Sequence, residues 1–97
     1  MRARSGPSPD ERFHALADPA RIAIMARLRR GPRCVCDLQA ELGMASNLLS
    51  YHLRILREGE LVTGARRGRR VEYRIRPEGL ERLRRELERL APTGTGR

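Results

Sequence analysis

The sequence predicts a mostly helical α+β domain of five short helices and one two-stranded β-hairpin. Helix-start signals stand close together at Ser8-Pro9-Asp10-Glu11 and Asp18-Pro19. From there to Gly59 the apolar residues recur at intervals of three and four, the helical period. Beyond it, Leu61 to Ala65 and Val71 to Arg76 alternate like strands around an arginine-rich tip. A chain of 97 residues buries one modest core, and at that size self-association is a common source of extra stability.

Residues 1–7 carry Arg, Ser, Gly and Pro without apolar periodicity and are expected to form a flexible arm. Residues 92–97 are expected to form a flexible tail, leaving 8–91 as the folded domain. Ser8 caps the first helix with proline at its first position; the helix carries Phe13, Leu16 and Ala17 on one face and ends near Ala17. Asp18-Pro19 opens the second, whose inward stripe is Ile22, Met25 and Leu28 with Ala26, and Gly31-Pro32 stops it. The third is short, with Val35, Leu38 and Leu42 on one face, and closes on Gly43.

The fourth helix follows at once, with Leu49, Leu53 and Leu56 on one face and Ser46, Asn47, Ser50, Tyr51 and Arg54 on the other. Two helices joined by a tight glycine turn, the second with a hydrogen-bonding face, is the helix-turn-helix layout. The hairpin after it is a wing whose tip holds Arg66, Arg67, Arg69 and Arg70 around Gly68. Pro77 starts a last helix with Leu80, Leu83, Leu87 and Leu90 at heptad spacing, flanked by charge pairs such as Glu78 with Arg82 and Glu81 with Arg85. Two heptads suit an internal core stripe as well as a dimer seam. Small size favours the seam, with Phe13 and Leu16 of the first helix beside it.

Composition narrows the partner. The formal charge is +9 and all 21 basic residues are arginine, the side chain suited to forked contacts with phosphate or guanine. Membrane surfaces and RNA compete for such a charge, but aromatic residues make up only 3%, too few for the stacking platforms of single-strand binders, which leaves duplex DNA as the favoured partner. Met1-Arg2-Ala3-Arg4 is not followed by an apolar run, no stretch is long enough to span a bilayer, and a cytoplasmic location is expected.

Cys34 and Cys36 are the only cysteines. In a reducing compartment a structural disulfide is not expected, and metal binding or redox sensing gains weight. Cysteine can also serve as a small buried apolar residue. Val35, however, completes the stripe with Leu38 and Leu42, so both thiols should lie off the core face, at a helix N-terminus that favours thiolate. Residues two apart on a helix point about 200° from each other, so chelation by both requires the first turn to unwind or to begin after Cys36. A redox or persulfide switch is the alternative use of the pair. An enzyme is not expected: the spacing is not Cys-x-x-Cys, no strand is predicted before it, and no substrate pocket is evident.

Taken together, Ala17-Asp18-Pro19-Ala20-Arg21, Cys34-Val35-Cys36-Asp37-Leu38, Ser50-Tyr51-His52-Leu53-Arg54-Ile55-Leu56-Arg57-Glu58 and the wing resemble the ArsR/SmtB family of winged-helix repressors over residues 9–91. The Cys-Val-Cys-Asp-Leu element is similar to the arsenic-sensing branch. The resemblance implies a homodimer on an imperfect palindromic operator, its reading helices in successive major grooves about 34 Å apart, needing no cofactor for DNA binding. It implies release when arsenite, antimonite or another soft metal ion binds Cys34 and Cys36. It also matches His52 to a family histidine, as a phosphate contact or a helix-packing residue.

The arsenic branch usually has a third cysteine where this chain has Gln39, leaving the third position to an external thiol, a hydroxide or another side chain. Lead and cadmium sensors add cysteines from the N-terminal arm, where residues 1–17 offer only His14 as a soft candidate. Zinc sensors use acidic and histidine ligands on the last helix, and Glu78 to Leu90 contains no histidine.

Overall fold

A computed structural model describes residues 6–94, so most of the expected arm and tail lies outside the described residues. The elements are α1 (Pro9–Leu16), α2 (Pro19–Leu28), β1 (Arg33–Cys34), α3 (Val35–Leu42), α4 (Ser46–Glu58), β2 (Val62–Arg67), β3 (Arg70–Ile75) and α5 (Pro77–Leu90). This is the expected winged helix-turn-helix with one strand added. Arg33 and Cys34 pair antiparallel with Tyr73 and Glu72, making a three-stranded sheet in the order β1-β3-β2.

Local signals end the helices where expected. The Ser8 capping box is complete, with the Ser8 N–H donating to Glu11 Oε1 at 2.9 Å and the Glu11 N–H donating to Ser8 Oγ at 3.4 Å. Gly43 caps α3 in the left-handed region at φ 61°, and Gly68, φ 63°, turns the hairpin without a side-chain penalty. Arg66, Arg67 and Arg70 belong to paired strand positions rather than to the loop, because the ladder runs to the Arg67–Arg70 pair.

Asp18 joins α1 to α2, accepting from the N–H groups of Ala20 at 2.8 Å and Arg21 at 3.3 Å. Desolvation works to raise its pKa, but those two bonds and the nearby Arg21 charge outweigh it and hold the carboxyl below its ordinary 3.8. A carboxylate whose folded value is depressed adds stability above its unfolded value and loses it as pH falls through the folded one. Asp18→Asn keeps a capping oxygen without the charge. Urea midpoints at neutral pH and at about pH 3 should therefore differ less in the variant than in the parent. Equal acid sensitivity in both proteins would remove Asp18 from the acid limb.

The core gathers Ala15, Ile24, Met25, Leu28, Leu38, Leu49, Leu53, Leu56, Leu61, Val62, Tyr73 and Leu83. Several expected faces shift. In α2 the inward residues are Arg21, Ile24, Met25 and Leu28, while Ile22 is 51% exposed and Ala26 is exposed. In α1 Ala17 is the exposed C-cap, Phe13 and Leu16 are half-buried, and Arg12 and Ala15 are buried.

The buried arginines have specific work. Arg21 donates from Nε to the Ala15 carbonyl at 2.7 Å and from Nη2 to the His14 carbonyl at 3.4 Å, satisfying the last turn of α1. Arg12 donates to the Pro7 carbonyl at 3.1 Å and pairs with Glu60 at 3.3 Å, which ties down the end of the segment expected to be a loose arm.

The leucines of α5 divide. Leu83 is 4% exposed within the core and Leu80 packs half-buried against it, so Leu83 is an intramolecular residue and not part of the expected seam. Leu87 and Leu90, 56% and 75% exposed, continue the stripe into solvent. Around them Arg84 reaches Glu81 at 2.7 Å and Glu88 at 2.9 Å, and Arg85 reaches Glu81 at 3.3 Å as expected. Exposed pairs of this kind add little to stability, because water and salt screen them.

Candidate functional site

The polar face of α4 stands clear of the core: Ser46, Asn47, Ser50, Tyr51 and Arg54 are all exposed. The Arg54 guanidinium lies 5.7 Å from the Tyr51 ring centroid and 3.5 Å from Glu58, orienting it along the face. Ala45 caps the helix with no side-chain hydrogen bond, and in the first turn the Leu48 N–H donates to Asn47 Oδ1 at 2.9 Å. Arg57, not singled out in the sequence, donates to the Tyr73 hydroxyl at 3.2 Å and links this helix to the wing. A groove of about 520 Å³ runs between them, lined by residues including Asn47, Ser50, Tyr51, Arg54, Arg57 and Tyr73.

His52 is on the other side. It is 6% exposed, and its Nδ1 lies 3.0 Å from Arg21 Nη1. A guanidinium only donates, so Nδ1 accepts and the ring proton sits on Nε2. Of its two readings, phosphate contact and helix packing, this geometry is the second: Arg21 uses His52 to hold α4 against the α1–α2 junction. The signal lay in Asp18-Pro19-Ala20-Arg21, where an arginine at a core position escapes any hydrophobic count.

The wing projects Arg66, Arg67, Arg69 and Arg70, all exposed. Arg67 faces Arg70 directly across the strands, an unfavourable like-charge pair, with Glu72 3.6 Å from Arg67 on the other side.

Cys34 is the N-cap of α3, its backbone extended at φ −76° and ψ 160°, and its Sγ accepts from the Asp37 N–H at 3.2 Å. The extended cap turns its side chain back over the first helical turn. Cys34 and Cys36, with Cα atoms 5.3 Å apart, are thereby joined through their sulfurs as a disulfide. Three expectations change. The helix begins between the two cysteines, so no unwinding is needed to bring the sulfurs together. Cys34 is 3% exposed and counts with the core, leaving Cys36 alone as an exposed thiol position. The pair is bonded rather than separate.

One Asp37 carboxylate oxygen and the two sulfurs all lie within 4.8 Å of one another, the one such group of potential metal ligands among the described residues. A cleft of about 390 Å³ beside them reaches Gln39, Arg69, Arg70 and Val71. His14 is exposed on α1, outside this cluster. Among the described residues no helix is long and apolar enough to cross a membrane.

A helix with an exposed polar face behind a glycine turn, flanked by an arginine wing, defines a winged helix-turn-helix protein. Residues 18–63 match the family described as bacterial regulatory protein, arsR family. The HTH-type transcriptional regulator Rv2034 of Mycobacterium tuberculosis is 40% identical over 82 residues, 84% of this chain and 77% of that protein. A transcriptional repressor SmtB homolog of Synechocystis sp. is 43% identical over 77 residues, 79% of this chain but 58% of the relative's length. A crystal structure described as a possible transcriptional regulator for arsenical resistance superposes with TM-score 0.73 at 33% identity, covering 89% of this chain and 98% of that one. The chain belongs to the ArsR family of bacterial regulatory proteins. These relatives carry the names of transcriptional regulators, in line with the expectation that the chain is not an enzyme.

Proposed function

We propose that the chain is a sequence-specific transcriptional repressor that binds an imperfect palindromic operator as a homodimer. Ser46, Asn47, Ser50, Tyr51 and Arg54 reach base edges or nearby phosphates, Arg66, Arg67, Arg69 and Arg70 contact the backbone, and DNA binding needs no cofactor. Phe13, Leu16, Leu87 and Leu90, with Leu80 behind them, form the dimer contact. A thiophilic metal or metalloid, trivalent arsenic or antimony first, binds Cys34 and Cys36 in their reduced form and releases the DNA.

The observation that carries this reading is the pairing of Cys34 with Glu72, which puts Cys34 on the same sheet as the wing. Any ligand that changes the geometry at Cys34 therefore acts on a DNA-contacting element. The name of the arsenical-resistance neighbour supports the choice of inducer. To move an operator from almost fully bound to almost fully free, the inducer must favour the released form by about 5.5 kcal/mol, a reasonable demand on several metal–thiolate bonds per dimer.

Cys36→Ser is the cleaner test, because Cys36 is exposed and a hydroxyl is a poor ligand for a soft ion. It should keep operator affinity and lose release by arsenite and antimonite in a fluorescent-operator titration. Cys34→Ser should behave alike, with serine able to cap α3 in its place. Release persisting in both variants would sink the dithiol site. The Cys34–Cys36 bond favours a second reading, a two-electron thiol–disulfide switch. Peroxide without metal would then free the operator from the parent and not from Cys36→Ser.

A further inference from the structure

Cys34 and Cys36 are the only cysteines, so a trivalent thiophile held by both has one position left. The Asp37 carboxylate is near, but it is a hard oxygen donor, and a soft ion takes a third sulfur in preference. The adjoining cleft of about 390 Å³ has the size of a small organic ligand's site and far exceeds what an ion needs. One wall is the start of α3 with both sulfurs; the other is the wing, which supplies Arg69, Arg70 and Val71. None of the lining residues is acidic. Arg70 faces Arg67 across the strands, and Arg67 is already paired with Glu72 at 3.6 Å, so an anion in the cleft offers Arg70 an opposite charge where its cross-strand neighbour is a like one.

We propose that this cleft takes a small carboxylate-bearing thiol, whose sulfur completes a three-sulfur site on the metalloid and whose carboxylate pairs with Arg69 and Arg70. The proposal rests on the reading of Cys34 and Cys36 as the inducer site. The same thiol first opens the disulfide. Its thiolate attacks the Cys36 sulfur, the exposed one, to give a mixed disulfide and release Cys34 as thiolate, to which the Asp37 N–H already donates. A second thiol molecule attacks the mixed disulfide, leaving two reduced cysteines and one small-molecule disulfide. Arsenous acid then exchanges its three hydroxides for the three sulfurs. Three S–H protons leave with the hydroxides as water, three As–S bonds form, and arsenic remains trivalent. Phosphate and ligand carboxylate then compete for the same two arginines, so filling the cleft removes wing contacts from the DNA.

The test uses the whole chain, reduced beforehand, freed of reductant and loaded with arsenite. Glutathione, which carries carboxylates, and 2-mercaptoethanol, which is uncharged, are titrated in, and arsenic–sulfur coordination is followed by X-ray absorption and by the ultraviolet charge-transfer band. Glutathione should bring about three-sulfur coordination at a concentration about tenfold lower than 2-mercaptoethanol. The double variant Arg69→Gln with Arg70→Gln should abolish that advantage while leaving the 2-mercaptoethanol curve in place. Coinciding curves in the parent, or an advantage that survives the double variant, would overturn the carboxylate site while leaving the dithiol reading intact. If arsenite forms no two-sulfur species before thiol is added, the dithiol reading fails and this proposal with it.

Discussion

Gly79→Ala is expected to destabilise the domain by about 2 kcal/mol or more, although helix propensity alone would favour alanine there by about 1 kcal/mol. Gly79 is buried in the first turn of α5, where a Cβ would collide with the Glu60 carbonyl oxygen and come within 3.2 Å of Leu61 Cδ2. A flexible side chain would move aside; this carbonyl does not. Glu60 sits at φ 59°, the one non-glycine residue with positive φ among those described. The turn around it is held by the Leu61 N–H donating to the Leu56 carbonyl at 3.0 Å and by the Glu60 ion pair with Arg12. The clash therefore outweighs the propensity. Urea unfolding should show a lower midpoint with an unchanged slope, and an alanine variant as stable as the parent would mean that α5 does not pack on the Glu60 turn.

The leucines of α5 should separate folding from assembly. Leu83→Asp puts a charge where the side chain is 4% exposed, and the expected result is an unfolded or aggregated chain. Leu87→Asp combined with Leu90→Asp changes residues that are 56% and 75% exposed, and the fold should survive with its unfolding midpoint nearly unchanged. What should go is the proposed dimer, and with it the simultaneous grip on two half-sites, lowering operator affinity by at least about a hundredfold. Sedimentation of the double variant decides: dimers with full operator affinity would move the seam away from α5.

The parts legible in the sequence were those decided within one or two turns of chain. Ser8 and Asp18 cap their helices through neighbours three residues on or fewer, and the leucine period of α4 turns Ser46, Asn47, Ser50, Tyr51 and Arg54 outward without help from elsewhere. The parts that were not legible depend on distant partners. A two-residue strand has no periodicity of its own, and β1 exists because β3 arrives beside it. In α2 the expected Met25 and Leu28 are buried, but Ile22 and Ala26 are not, since Arg21, charged yet 5% exposed, and Ile24 occupy the core face instead. Leu83 and Leu87 are equivalent in the heptad pattern. Only the packing of α5 near α1 and Leu61 makes one core and the other surface. At Cys34 the deciding feature is local but conformational: the residue lies just outside the helix, so helical spacing does not apply to it.

β1 also has a bearing on timing. A strand of two residues at the edge of a sheet is among the first units of a domain to open, since few hydrogen bonds resist the fluctuation. Cys34 is 3% exposed while that strand is paired, so a ligand of the proposed dithiol site would gain full access to the Cys34 sulfur chiefly when the strand opens. At low inducer the response is then governed by encounter, and at high inducer by the frequency of fraying. The speed at which the regulator answers a toxic pulse would have a ceiling set by two backbone residues, whatever the dose.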